Sequence, residues 1–180
     1  MDEHEEWAAD LQRQRTQKDE YFAQNPRSPI PASQRGDFDG LSYYPPDEDY
    51  RFELPLHEFD EHDELEVETT TDGRRTYLRW GEFRFSLDGS EYTLTAYRAD
   101  ADDGRLWVPF TDATNGETTY GGGRYLDLEP EDRAADGSWV LDFNDAYSPF
   151  CLYSERYECP LVPSENHLDV PIEAGERADY

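Results

Sequence analysis

The residues best suited to chemistry in this chain lie in its second half. The run TDATNGETTYGGGRYLDL, residues 111–128, holds three consecutive glycines, Gly121, Gly122 and Gly123, followed at once by Arg124 and Tyr125. The run LDFNDAY, residues 141–147, adds Asp142, Asn144 and Tyr147. Glycine permits positive φ and close backbone approach, so one reading of the triplet is a tight turn or bulge between two strands. The other is a concavity for an anion or a carbonyl, lined by bare backbone N–H groups, Thr118 or Thr119, and Arg124. Arg124 likewise has two readings, a buried structural pair with Asp142 or Asp112, or a cation facing a ligand. Asp142 and Asn144 alternate around Phe143 and would share one face of a strand, where both need hydrogen-bond partners from loops or from a ligand. The expected binding set is therefore Thr119, Tyr120, Arg124, Asp142, Asn144 and Tyr147, around a small polar or anionic ligand.

Signals for catalysis are sparse. There is no G-x-S-x-G elbow and no H-E-x-x-H pair. The glycine triplet lacks the G-K-[ST] and following helix of a P-loop, and the βαβ context of a dinucleotide fingerprint. Asp112 and Asp142 are the remaining catalytic candidates, as a carboxylate pair in a glycosidase-like cleft or as a single base. Cys151 and Cys159 fit neither a C-x-x-C redox pair nor a common zinc spacing. His167 could join them only in a site missing its fourth ligand, or serve Cys159 as a nucleophile's base. Two reduced, structural thiols are the expectation, with their pairing left open. His57 and His62, in the acidic run LHEFDEHDELE, read as a solvated strand end rather than a cation site. No metal and no cofactor is expected.

The elements that must hold these residues follow from periodicity. Residues 2–24 contain no Gly or Pro, carry acids in the first turn, and read as one helix with a thin apolar stripe, lying on the body rather than inside it. Pro26, Pro29 and Pro31 end it. From residue 50 the period is two: Tyr50 to Leu56, Leu65 and Val67, Leu78 and Trp80, Phe83 to Leu87, Tyr92 to Ala96, Leu106 to Phe110, Trp139 to Phe143, and a closing strand at Leu168, Val170 and Ile172. Asp88-Gly89 is a hairpin turn signal. Short strands at this spacing imply an all-β antiparallel sandwich or flattened barrel with an N-terminal α-helix. The division expected is a helix and arm at 1–30 packed on a single β domain at 31–180.

Charge sets limits on partners. With 43 acids against 16 basic residues, the formal charge is −27, so nucleic-acid phosphate is an unsuitable partner. Aromatics at 14% argue against disorder. The acids run from end to end and Lys18 is the sole lysine, a pattern that reads as a surface adapted to high salt, where screening suppresses self-repulsion. No apolar run is long enough to span a membrane and no secretory signal opens the chain, so the expected location is cytoplasmic.

Several stretches taken together resemble a known family. SPIP, FDGLSYYPPD, PFTDATNGETTY, GRYLDL, DFNDAYSPFC, CPLVPSEN and the late AGE are similar to the bacterial and archaeal family called domain of unknown function 1684, over nearly the whole chain. The resemblance implies no activity. Many members of that family are preceded by a secretion or lipoprotein signal, and none is expected here.

Overall fold

A computed structural model describes residues 2–154 and 156–178. Helix α1 spans Glu3–Gln24, and the Asp2 carboxylate caps it by accepting from the Glu5 N–H at 2.8 Å. Glu3, Glu5 and Glu6 occupy the first turn, where the positive end of the helix dipole favours them. Only Leu11, Arg15 and Phe22 are buried, so the helix lies on the body by a narrow face.

The rest is β-structure with antiparallel ladders. Strands β1 (Ser42–Tyr43), β2 (Arg51–Leu54), β3 (His57–Glu58), β4 (Glu64–Glu68), β5 (Arg74–Leu87), β6 (Ser90–Arg98), β7 (Leu106–Phe110), β8 (Arg124–Leu128), β9 (Trp139–Asp142) and β10 (Glu176–Arg177) follow in chain order. Six of them form one sheet in the order β3-β5-β6-β7-β8, with β4 also on β5, while β2 pairs β9 and β1 pairs β10. The long β5 thus serves β4 with its first half and β3 with its second. The β5–β6 hairpin turns at Asp88 and Gly89, both at positive φ, as that dipeptide signals. Phe83, Phe85, Leu94, Val108, Phe110 and Leu126 bury one sheet face against Leu141, Phe143, Leu168 and Ile172.

Two strands expected from the alternating pattern are different. β9 stops at Asp142, and Phe143–Asp145 is a 3-10 turn, so Asp142 and Asn144 meet across a turn and not along a strand face. Residues 168–172 bury Leu168, Val170 and Ile172 in alternation but form no regular strand; their backbone bonds are single contacts, such as the Leu168 N–H to the Thr111 carbonyl at 2.8 Å. Pro171 in this stretch has no N–H to give to a ladder.

Sequence reasoning missed Asn166. β6 and β7 share only the Tyr97–Trp107 pair, because Pro109 has no N–H to continue the ladder. The fully buried Asn166 side chain fills the gap. It accepts from the Thr95 N–H at 2.9 Å and donates to the Thr95 carbonyl at 2.9 Å and the Pro109 carbonyl at 2.8 Å.

Candidate functional site

The glycine triplet delivers a fully buried arginine. Gly123 has φ +95, and a Cβ there would sit 2.6 Å from the Phe110 carbonyl oxygen, so only glycine lets β8 start beside the end of β7. Arg124 follows with no exposed surface. Its Nη2 donates to Asp112 Oδ2 at 3.0 Å and to the Ile172 carbonyl at 2.8 Å. Its Nη1 donates to the carbonyls of Ala174 and, at 3.3 Å, Glu176. Burial pulls the guanidinium below the ordinary arginine value, and the Asp112 carboxylate opposes that shift. Asp112 also accepts from the Thr114 N–H at 2.7 Å and the Ile172 N–H at 3.3 Å. Thr119, also fully buried, bonds Thr114 Oγ1 and Asn115 Nδ2, each at 2.8 Å. Of the two partners expected for Arg124, Asp112 is the one present.

Asp142 belongs to a second network, which holds the N-terminal segments. Its Oδ2 accepts from Trp7 Nε1 at 3.0 Å, and its Oδ1 accepts from the Asn144 N–H at 2.9 Å and Nδ2 at 2.8 Å. Asn144 in turn bonds the Asp47 backbone, accepting from its N–H at 2.9 Å and donating to its carbonyl at 2.8 Å. Asp112 and Asp142 therefore belong to different hydrogen-bond networks. Tyr147 donates its hydroxyl to Asp127, and burial pushes the phenol up. Burial also raises the Asp127 carboxyl above its ordinary value, with the Tyr147 bond opposing. Tyr120 is half-buried, its ring against Gly122.

The helix supplies residues that the thin stripe concealed. Trp7, Leu11, Arg15, Lys18 and Phe22 recur at spacings of three and four, one face of α1. Arg15 donates to the carbonyls of Tyr44 at 2.8 Å and Asn144 at 3.3 Å and lies over the Tyr43 ring. Lys18 pairs at 2.7 Å with Glu176, whose side chain is fully buried and also accepts from Tyr153. The sole lysine at a helix position facing inward was the available signal.

Between α1 and the edge formed by β8 and β9 lies a cavity of about 310 Å³. Trp7 and Trp139 contribute its rings, and Arg51 is its one cationic side chain. Asp142 lies on its wall with Asp10, Asp127, Glu129 and Asp145. Of the expected binding residues, Asp142 reaches this cavity directly and Tyr147 through Asp127, whereas Thr119 and Arg124 are enclosed elsewhere.

The family model described as "Protein of unknown function (DUF1684)" matches residues 36–177. The chain belongs to the DUF1684 family. It is also similar to the solution NMR structure of an uncharacterized protein of Haloarcula marismortui, with 45% identity, a TM-score of 0.74, and coverage of 97% of this chain and 96% of that one. No curated protein matches it.

In this DUF1684 chain the family-like GRYLDL stretch is the β8 strand with its buried arginine, and the AGE stretch is the segment whose carbonyls that arginine holds. The cysteines depart from expectation. Cys151 and Cys159 form a disulfide, with Cα atoms 6.4 Å apart, and are not reduced thiols. The 3-10 turn at Phe150–Leu152 and the Thr70 N–H bond to the Cys159 carbonyl, at 3.0 Å, bring the two together. His167 bonds Thr111 at 2.8 Å and approaches Asp169 at 3.2 Å, so its ring is engaged away from the cysteines. His57 is exposed on β3, and the His62 ring stacks on Trp80 with centroids 3.6 Å apart. Among the described residues no helix is long and apolar enough to cross a membrane, and no cluster of three metal-ligating side chains occurs.

Proposed function

We propose that this DUF1684 protein is a binding module that performs no covalent chemistry, and that its ligand is a small polar molecule with a positively charged group, held in the cavity beneath α1. The observation that carries this reading is the composition of that 310 Å³ space, two indoles and five carboxylates with a single guanidinium. Indole faces attract ammonium groups, and carboxylates add direct attraction. The volume is at the lower end for small-ligand sites, roughly 300–1,000 Å³. An anionic ligand on Arg124 has less support, since that guanidinium is enclosed and bonded to Asp112 and to backbone carbonyls. A hydrolase has less support too, because Asp112 and Asp142 are committed to separate partners.

The test is calorimetric titration of the whole chain with choline and with putrescine at constant ionic strength. Saturable binding is expected, weakened by Asp10→Asn and Glu129→Gln, two changes at cavity carboxylates outside the bracing networks. Absence of heat with both probes sinks the reading. That outcome would favour a second one, in which the motif residues only brace the termini. Its support is that Thr119, Arg124, Asp142, Asn144 and Tyr147 each have hydrogen-bond partners within the protein.

A further inference from the structure

A second cavity, of about 220 Å³, opens on the other side of Trp139, where β2, β3, β5 and β6 meet the loop before β9. Two arginines face it. Arg98, at the end of β6, has its guanidinium 4.0 Å from the centre of the Trp80 ring, and Arg133 lies 4.8 Å from that of Trp139. Most arginines near carboxylates in this acidic chain are paired, among them Arg51, Arg79, Arg84, Arg105 and Arg124. Arg98 is half-buried, its Nε is fully enclosed without a partner, and among the described residues its side chain makes neither a salt bridge nor a hydrogen bond. Among the described residues Arg133 donates to the Gly137 carbonyl, at 2.9 Å, which holds the loop closed with one of its guanidinium nitrogens.

Two acids, Glu58 and Asp136, share the cavity wall, and Glu58 and Asp103 offset part of the burial cost of Arg98. Among the described residues none of the three forms a salt bridge with Arg98 or Arg133: Glu58 approaches His62 at 3.6 Å, Asp103 accepts from the Arg105 N–H at 3.0 Å, and Asp136 accepts from the Ser138 N–H at 2.9 Å. Arg98 loses hydration through burial and is repelled by the exposed Arg133, a cost that an anion between them would relieve. Guanidinium forks match planar carboxylates, and their stacking on indoles fixes their orientation. Pro55 and Leu56 give the same cavity an apolar wall.

We propose that the cavity between Arg98 and Arg133 binds a small organic carboxylate, its charged end on the two guanidiniums and its carbon chain against Pro55, Leu56 and the indole rings. The site is independent of the cation-binding cleft and shares only Trp139 with it.

The experiment is a succinate titration of the isotopically labelled full chain at fixed ionic strength, followed through the indole N–H signals of Trp80 and Trp139. Saturable shifts of both are expected. Arg98→Gln and Arg133→Gln should each weaken binding by about tenfold or more, the loss of a charge-assisted bond. Arg84→Gln, which removes an exposed arginine of the same sheet, should leave the affinity unchanged and so controls for general charge. Unsaturable shifts in the wild type, or equal affinity in the Arg98→Gln variant with its spectrum still folded, would overturn the proposal. Inorganic phosphate binding as tightly as succinate would overturn the assignment to carboxylates.

Discussion

Replacing Arg124 with lysine separates charge from geometry. The substitution keeps a cation opposite Asp112, but one ammonium on a flexible stem replaces a fork that reaches Asp112, Ile172, Ala174 and Glu176 at once. An ammonium has three donors, so at least one of those four acceptors then loses its donor in a fully buried site. Each stranded acceptor costs about 1–3 kcal/mol, so Arg124→Lys should lose at least that much stability. A domain has about 5–15 kcal/mol in all, so the variant should remain folded enough to measure. Urea unfolding at constant KCl gives the global figure. Hydrogen exchange gives the local one: the amides of Tyr44, Glu176 and Ala178, bonded to Gly175, Ala146 and Thr118, should exchange faster in the variant. Arg124→Met with Asp112→Leu should not restore stability, unlike the replacement of a simple buried ion pair, because three carbonyls and the Thr114 N–H stay without partners. A lysine variant within about 1 kcal/mol of wild type, with those amides unchanged, would refute the brace.

Three further outcomes are expected. Closing a loop between residues 151 and 159 stabilises by about 2.5 kcal/mol in the chain-entropy account, so reduction should lower the urea midpoint, and alkylation should label both cysteines only after reductant. Desolvation beside Tyr147 raises the folded Asp127 carboxyl above its ordinary value of 3.8 although the residue is exposed on β8, so wild type should lose a small, solvent-screened amount of stability relative to Asp127→Asn as pH rises from the unfolded value to the folded one. The gap should be flat above that window and vanish below it; a gap that widens as pH falls would show the opposite shift. Finally, a charge of −27 predicts a higher melting temperature in about 2 M KCl than in about 0.1 M, and equal values would remove the reading of a salt-adapted surface.

The sequence by itself determined what depends on neighbours along the chain. Period-two runs marked β2 and β4 to β7, Asp88-Gly89 marked a hairpin, and the absence of Gly and Pro with acids in the first turn marked α1 within a residue of its ends. The importance of Gly123 and Arg124 was legible too, since positive φ and a lone cation between apolar strands are local signals. Tertiary structure decided who meets whom. Whether Arg124 faces Asp112 or Asp142 depends on the path of residues 172–176, far away in sequence, whose carbonyls complete its shell. The role of Asn166 depends on a missing N–H at Pro109 in another strand. The two cavities exist only where α1 and the loop before β9 lie across the sheet, so residues that look alike in sequence, buried Arg124 and half-buried Arg98, end in different states: one with both Nη atoms bonded to Asp112 and to backbone carbonyls, the other with its guanidinium on a cavity wall. Hydrogen-bond satisfaction is a property of the folded surroundings, and no local pattern encodes it.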